Sequence, residues 1–310
     1  MMSENTCHRN STHRVQRLPA ISTAYFKNRK RDKVRYPVGK KSRRYLLSLW
    51  GSLKHKRSFD HVKTFCMFIG YPRSGHTLIG SLLDAHPNVI LADELDALKF
   101  IQAGFGERQV FYLSLRNSRR SATAGRTRTG YSYRVPNQWQ GSFTDLQMIG
   151  DKMGGYTALR LQCHPALLDL VRTKFRVEIK FVHVMRNPYD VISTMSLQDN
   201  HPLHRSIDEF SALCAAVAHV RQRTAPADIY DLRHEDFISN PRTALKQLCD
   251  FFGLSQDDAY LAASASIVFK SPHRSRYDVP WNHPLIDNVQ QKLERFPFLA
   301  GYGYDEDLRP

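Results

Sequence analysis

The segment GYPRSGHT, residues 70–77, constrains the fold of this chain more than any other, because it has the G-x-x-x-x-G-x-T spacing of a phosphate-binding loop. An apolar run over residues 65–69 precedes it and predicts a buried parallel strand. Residues 77–85 have the apolar spacing of a helix. The two glycines let backbone amides point inward at an anion, and the helix N-terminus adds the positive end of its dipole. The segment therefore predicts an α/β domain that binds a phosphate group.

Two further strand–helix units follow this loop in the sequence. Residues 179–185 predict a buried strand and residues 189–197 a helix. Residues 228–232 and 241–252 repeat the pattern, whereas residues 117–134, rich in Gly, Ser and Arg, are predicted to form a surface loop. Strands that alternate with helices indicate an α/β, P-loop-like three-layer fold, with a central parallel sheet flanked by helices.

Basic residues are concentrated at the start of the chain. Residues 1–63 hold 17 Lys and Arg against three acidic residues, and residues 64–310 hold 28 basic and 26 acidic residues. The charge is thus +14 in the first part and +2 in the second. We therefore predict a basic N-terminal arm over residues 1–63, largely disordered, and a nearly neutral folded domain over residues 64–310. No specific nucleic acid is expected as a partner of the folded domain.

The arm contains an aromatic and aliphatic stretch, residues 45–53, that has the pattern of a basic amphipathic helix. A short helix packed on the body, a contact with an acidic membrane surface, a transit peptide and a partner-binding arm all remain open.

The longest apolar runs are far shorter than the ~20 residues of a membrane span. The five cysteines are odd in number and lack metal-ligand spacing, which favours reduced core thiols. We expect a cytoplasmic protein, with membrane association or organelle import by the arm left open.

The cation of the loop differs from that of a nucleoside triphosphatase. Such an enzyme has Lys at the position of His76, and an imidazole is mostly neutral at pH 7. The fixed cation is Arg73, whose guanidinium can bind two anionic oxygens. Two alternatives remain at this point: a nucleotide kinase, for which no lysine or metal-binding acid is evident, and a non-catalytic adaptor whose basic arm binds a membrane or nucleic acid.

The stretch YPRSGHTL, residues 71–78, continued by LLDAHP, residues 82–87, resembles the donor-binding loop of sulfotransferases that use 3′-phosphoadenosine 5′-phosphosulfate (PAPS), particularly their tyrosylprotein branch. The resemblance covers roughly residues 64–254 and makes residues 64–310 a sulfotransferase catalytic domain. It implies transfer of the sulfuryl group of PAPS to a hydroxyl or amine acceptor by in-line displacement, without a metal. The family usually has Thr at the position of His76, whose imidazole N–H could replace the hydroxyl contact. The loop residues that the resemblance assigns to the donor are Arg73, Ser74, Gly75, His76 and Thr77.

Two later segments resemble the family's remaining donor contacts. VHVMRNPYDVIST, residues 182–194, is similar to the 3′-phosphate motif, which assigns Arg186 and Thr194 to that phosphate. Eight residues make about two helical turns, so the hydroxyl returns to the same phosphate, and Ser193 is the less favoured register. KSPHRSR, residues 270–276, is similar to a basic loop that covers the donor. Its candidate donor contacts are Lys270, Arg274 and Arg276.

Sulfuryl transfer requires a base for the acceptor proton and cations for the sulfonate and the leaving phosphate. The resemblance assigns the base to Glu94, with its neighbour Asp93 as competitor, and the cations to Arg73 and Lys152. His183 alternates within an apolar strand and is the weaker candidate for the base. Sugars, lipids, protein tyrosines and small phenols all remain open as acceptors.

Overall fold

The computed structural model describes residues 38–128 and 130–305 of the 310-residue chain. The first 37 residues of the arm, which we predicted to be largely disordered, therefore lie outside the described residues. Among the described residues, no helix is long and apolar enough to cross a bilayer. Four cysteines lie in the described part and form no disulfide, and Cys7 lies outside it.

The described chain contains strands that form one central sheet and one small hairpin. They are β1 (Thr64–Gly70), β2 (Val89–Asp93), β3 (Thr127–Arg128), β4 (Tyr131–Ser132), β5 (Met148–Lys152), β6 (Glu178–Met185) and β7 (Ile229–Arg233). The central sheet is five-stranded and fully parallel, with the order β2-β5-β1-β6-β7. The antiparallel hairpin, formed by β3 and β4, stands apart from this sheet. The predicted α/β three-layer class is confirmed by this topology.

Helices cover both faces of the sheet. They are α1 (Val38–Lys54), α2 (Lys56–Phe59), α3 (His76–Leu83), α4 (Ala97–Gln102), α5 (Glu107–Thr123), α6 (Gly155–Cys163), α7 (Ala166–Lys174), α8 (Pro188–Asp199), α9 (Leu203–Gln222), α10 (His234–Ser239), α11 (Pro241–Phe252), α12 (Asp258–Ser266) and α13 (His283–Leu293). Short 3₁₀ turns lie at Pro226–Asp228, Ser275–Asp278 and Pro297–Leu299.

Each face of the sheet has its own hydrophobic core. Along the central strand β1, Phe65, Met67 and Ile69 point into one core, which α5, α6, α8 and α9 share. Cys66 and Phe68 point into the other, which α3, α11 and α12 share. Side chains alternate between the two faces of a strand, so a strand buried on both faces must be apolar throughout. This explains the uninterrupted apolar run before the loop.

The prediction of a surface loop over residues 117–134 is wrong for residues 117–123, which are helical. Helix α5 continues to Thr123, because its small polar residues face inward and its basic residues face solvent. Ser114 and Ser118 are fully buried, whereas Arg119 and Arg120 are exposed. The polar composition therefore marks an exposed helical face and not a loop.

The folded part of the chain begins before Thr64. From Val38 the described chain is helical, and α1 packs against α5. Phe59 and Val62 are buried in the larger core. The later residues of the arm are thus packed on the body, with a helix that spans the aromatic and aliphatic stretch.

A buried carboxylate joins the end of α3 to its neighbours. Asp84 accepts hydrogen bonds from the Ser118 hydroxyl at 2.7 Å, from the backbone N–H of Gly141 at 3.0 Å and from that of Leu91, and it pairs with Arg126. Burial raises the pKa of Asp84 to about 6, and the Arg126 guanidinium opposes this rise. Both side chains of the pair are almost fully buried, so each depends on the other for its charge.

We predict that Asp84→Ala lowers the free energy of unfolding by about 3–5 kcal/mol, because it leaves the Arg126 charge buried without its partner. Asp258→Ala is the matched control, since Asp258 pairs with Arg242 in an exposed position, where such pairs contribute about 0–1 kcal/mol. Urea unfolding of both variants measures the difference. A loss below about 1 kcal/mol for Asp84→Ala would contradict the proposed role of the pair.

Candidate active site

The carboxyl ends of the five parallel strands meet at one edge of the sheet, which is where ligands bind in open α/β sheets. Glu94 follows β2, Arg186 follows β6 and His234 follows β7, while Lys152 is the last residue of β5. The central strand β1 leads directly into residues 70–77. All five elements contribute to one cavity of about 940 Å³.

Residues 70–77 form a tight loop whose glycines are required by their surroundings. Gly70 and Gly75 have φ angles of 132° and 98°, in the region that favours glycine. A Cβ atom at Gly75 would lie 2.4 Å from Nδ1 of His234, which is too close for any side chain. Arg73 also has a positive φ of 70°, an uncommon conformation for a residue with a side chain. The loop therefore has one backbone path, which ends at the N-terminus of α3.

The side chains of Ser74 and His76 make hydrogen bonds within the loop, and His76 also lines the cavity. Nε2 of His76 lies 3.1 Å from the carbonyl oxygen of Ile69. Because a carbonyl only accepts, Nε2 carries the proton of the neutral ring and donates it there. Ser74 Oγ lies 3.1 Å from His76 Nδ1 and 2.8 Å from the Tyr71 carbonyl oxygen. Both ring nitrogens of His76 thus have partners inside the loop, and the contact between His76 and the donor stays a prediction. The N–H groups of the first turn of α3 can also bind an anion, because they have no acceptor within the helix.

Lys152 stands at the centre of the site and is only 4% exposed. Its Nζ lies 2.6 Å from Asp93 Oδ1, 3.4 Å from Glu94 Oε1 and 3.4 Å from Thr77 Oγ1. Its stem crosses α3 at Gly80, where a Cβ atom would lie 2.9 Å from Lys152 Cγ. Glu94 lines the cavity and Asp93 lies outside the lining, so the two neighbouring carboxylates have different surroundings.

The loop that carries Glu94 is fixed by a buried carboxylate beneath it. Glu94 and Asp96 both have positive φ angles, 56° and 62°. The Asp151 carboxylate accepts hydrogen bonds from the backbone N–H of Leu95 at 3.0 Å and of Ala97 at 2.8 Å. Burial raises the pKa of Asp151 to about 7, which these two N–H groups oppose. The hydrogen bonds hold an otherwise unfavourable turn, and the turn points Glu94 toward the cavity.

Arg186 links three segments of the cavity wall. One guanidinium nitrogen donates to the carbonyl oxygen of Arg73 at 3.1 Å, and the other donates to that of His273. The side chain is 8% exposed and lines the cavity. Arg186 thus positions the phosphate loop relative to the segment that contains His273.

Thr194 faces the cavity from the second turn of α8. Its Oγ1 donates to the carbonyl oxygen of Asp190 at 2.7 Å and lies 2.9 Å from Ser275 Oγ. Ser193 is fully buried instead, and its hydroxyl accepts a hydrogen bond from Trp281 Nε1 at 2.9 Å. Of the two registers considered, the structure brings Thr194 to the cavity.

The basic segment over residues 270–276 divides into two parts. Lys270 and Arg274 line the cavity and are exposed. Arg276 does not reach the cavity, because it is fully buried and pairs with Asp190 at 2.8 Å through Nη1. Its backbone N–H also donates to Asp190 at 3.0 Å. The assignment of Arg276 as a donor contact is therefore corrected: it anchors the segment to α8.

His183, the weaker candidate for the base, lies behind the cavity wall. It is fully buried in β6, with Nδ1 2.9 Å from Asp231 and Nε2 3.2 Å from the Tyr71 hydroxyl. A different histidine, His234, lines the cavity against Gly75, and burial lowers its pKa to about 3. The sequence did contain a signal for His234, since it lies two residues after the predicted strand of residues 228–232.

The lining carries an excess of positive charge. Among the described residues of the lining, five are Lys or Arg and two are carboxylates. The cations are Arg73, Lys152, Arg186, Lys270 and Arg274, and the carboxylates are Glu94 and Asp199. Such a wall concentrates anionic ligands.

Residues 67–258, more than half of the chain, match the model of the Sulfotransferase family. The chain belongs to this family. Solved structures share the fold of this sulfotransferase. The sulfotransferase domain of the Synechococcus PCC 7002 olefin synthase has 16% identity and a TM-score of 0.52, over 80% of this chain and 97% of that domain. The sulfotransferase domain from the curacin biosynthetic pathway has 16% identity and a TM-score of 0.50, over 76% and 98%. No curated protein matches the sequence significantly.

We predict that His76 makes the stability of this sulfotransferase pH-dependent. Burial lowers the pKa of His76 from 6.5 to about 4 in the folded protein. As the pH falls from 6.5 to 4, the unfolded chain takes up a proton that the folded protein does not, so stability falls with the pH. In His76→Thr, the slope of unfolding free energy against pH should shrink by one proton, about 1.4 kcal/mol per pH unit. Urea unfolding across this range measures the slope, and equal slopes in the two proteins would contradict the assignment.

Proposed function

We propose that this sulfotransferase transfers the sulfuryl group of PAPS to a hydroxyl or amine acceptor by in-line displacement, in the cavity at the strand ends. The observation that carries the proposal is the arrangement around Lys152. Its ammonium lies beside Thr77 of the phosphate loop and 3.4 Å from the Glu94 carboxylate, in a wall where cations outnumber carboxylates by five to two. A cation for the leaving group and a base for the acceptor thus lie side by side.

The cations of the wall support two anchoring points for the donor. The first-turn N–H groups of α3 and Arg73 would hold the phosphosulfate end. Arg186 and Thr194 would hold the 3′-phosphate, with Lys270 and Arg274 covering it from the tail. The hydrogen bond from Arg186 to the Arg73 carbonyl ties the two points together. A ligand with anionic groups at two positions fits this wall better than one with a single phosphate chain.

The surroundings of the two neighbouring carboxylates favour Glu94 as the base. Asp93 lies outside the lining and is 2.6 Å from Lys152, so it serves as the counter-ion of that lysine. Glu94 lies in the lining at the longer distance of 3.4 Å. It would accept the acceptor's proton while the acceptor oxygen or nitrogen bonds to sulfur. The bond from sulfur to the phosphate oxygen breaks, and the electron pair stays on that oxygen, where Lys152 would stabilise the charge.

Aromatic side chains line the rest of the cavity and would contact the acceptor. Tyr131, Tyr133, Tyr156 and Phe269 belong to this part of the wall. The rings of Tyr131 and Phe269 make an edge contact at 5.2 Å between centroids. Such rings pack against sugars and phenols, so an acceptor screen with labelled PAPS should begin with these two classes.

We predict that adenosine 3′,5′-bisphosphate raises the melting temperature of the protein and that ATP with magnesium does not, because a ligand stabilises a fold according to its occupancy. Arg186→Ala should weaken binding of the bisphosphate by about 1.5–3 kcal/mol, the scale of a charge-assisted hydrogen bond. Arg223→Ala is the matched control, since Arg223 pairs with Asp169 on the surface. Calorimetric titration measures both affinities, and equal affinities would exclude the 3′-phosphate assignment.

We predict that Glu94→Gln lowers turnover by ~10²- to 10⁴-fold and leaves donor affinity unchanged, because glutamine keeps the size but cannot accept a proton. Asp93→Asn is the neighbouring control. The rate of this control should retain the acidic limb of its pH profile, which Glu94→Gln should lose. Turnover of labelled PAPS across pH separates the two variants. If Asp93→Asn loses the limb and Glu94→Gln keeps it, the base is Asp93.

A further inference from the structure

Helix α1 packs against the body mainly with its small residues. Ser48, Gly51 and Ser52 are buried. A Cβ atom at Gly51 would lie 2.2 Å from the ring of Tyr112 on α5, so this ring packs directly on the Gly51 backbone. The hydroxyl of Ser48 also accepts a hydrogen bond from Gln109 of α5 at 3.1 Å. Tyr45 adds an edge contact with the Phe105 ring, at 5.0 Å between centroids.

Four large apolar residues of α1 face solvent. Leu46, Leu49, Trp50 and Leu53 are 64%, 42%, 59% and 67% exposed. Their spacing of three, four and seven residues places them in one stripe along the helix. A helix of a globular domain normally turns such a stripe toward the core. We call this set of four side chains the apolar stripe, and its exposure indicates a surface that is covered by something other than the described body.

Positive charge surrounds the apolar stripe. Residues 38–59 contain no acidic residue. Arg43, Lys54, Lys56 and Arg57 are exposed, and Nζ of Lys54 lies 5.3 Å from the centre of the Trp50 ring. Residues 1–37, which precede the helix, add nine Lys and Arg against two acidic residues. The surface that covers the stripe must therefore be apolar and anionic at once.

We infer that α1 is a membrane-surface helix, which docks this sulfotransferase on a bilayer that contains anionic lipids. Such a bilayer offers acyl chains to the leucines and negative headgroups to the surrounding Lys and Arg, and the interface between them is where Trp prefers to lie. A helix that lies in this interface has one apolar face, a cationic border and too little apolar length to cross. The inference goes beyond the proposed function and does not depend on it.

The experiment uses the full chain and vesicle flotation. Wild-type protein should float with vesicles of phosphatidylcholine and phosphatidylserine, float much less with phosphatidylcholine alone, and be released by high salt, which screens the charges. Leu46→Gln/Leu53→Gln should weaken binding at least about tenfold, because it removes apolar area from the interface. Leu170→Gln, at an exposed leucine on α7, is the matched control and should bind as wild type does.

Two further measurements keep the outcome decisive. The melting temperature of Leu46→Gln/Leu53→Gln should equal that of wild type, because both leucines are exposed. Vesicles should shift the tryptophan emission of wild type to shorter wavelength, and Trp50→Phe should lose the shift. If folded wild-type protein fails to float with anionic vesicles, or floats equally well after the double substitution, the inference is overturned. It is also overturned if the double substitution converts a dimer into a monomer without any vesicle binding, since the stripe is then an interface between two copies of the chain.

Discussion

The register of the parallel sheet is the constraint on which the candidate active site depends. Strands β2 and β5 pair so that Asp93 stands opposite Lys152, and β1 and β6 pair so that Gly70 stands opposite Val184. Side chains alternate along a strand, so a slip of one residue would turn the Lys152 ammonium to the other face of the sheet. The central ion pair of the site, Lys152 with Asp93, is thus held by backbone hydrogen bonds of the sheet, which is the arrangement that precise chemistry requires.

Two cations of the site, Arg186 and Lys152, have partners of different kinds within the protein. Arg186 donates to two backbone carbonyl oxygens, which an anionic phosphate can outcompete because it carries a full charge. Lys152 has the Asp93 carboxylate at 2.6 Å, and Asp93 lies outside the lining of the cavity. If Glu94 takes up a proton during turnover, as proposed, Lys152 still has a counter-ion and keeps its charge. The arrangement separates the group that changes protonation from the group that stabilises the leaving oxygen.

Local patterns predicted those features that depend on neighbouring residues. The strand–loop–helix units, the end of α11 at Phe252 and the position of Arg186 at a strand end all follow from apolar runs and their limits, whereas Glu94 was assigned by the family resemblance. Features that depend on distant partners were not predictable in this way. Arg276 is buried because Asp190 lies 86 positions away in sequence and beside it in space. The His76 ring turns inward because the carbonyl oxygen of Ile69, seven positions earlier in β1, accepts its hydrogen bond.

Helix α5 shows the same limit in another form, because its polar sequence suggested a loop and tertiary packing decided otherwise.

Two of the residues proposed for chemistry, Arg73 and Glu94, share a further property: both have a left-handed backbone, at φ angles of 70° and 56°. Glycine or asparagine would adopt this conformation with less strain, which costs other residues about 1–3 kcal/mol. Selection for stability alone would therefore replace these two side chains first. Thermal stability and turnover thus favour different residues at the same two positions. Variants evolved only for heat resistance should therefore lose sulfuryl transfer before they lose the fold.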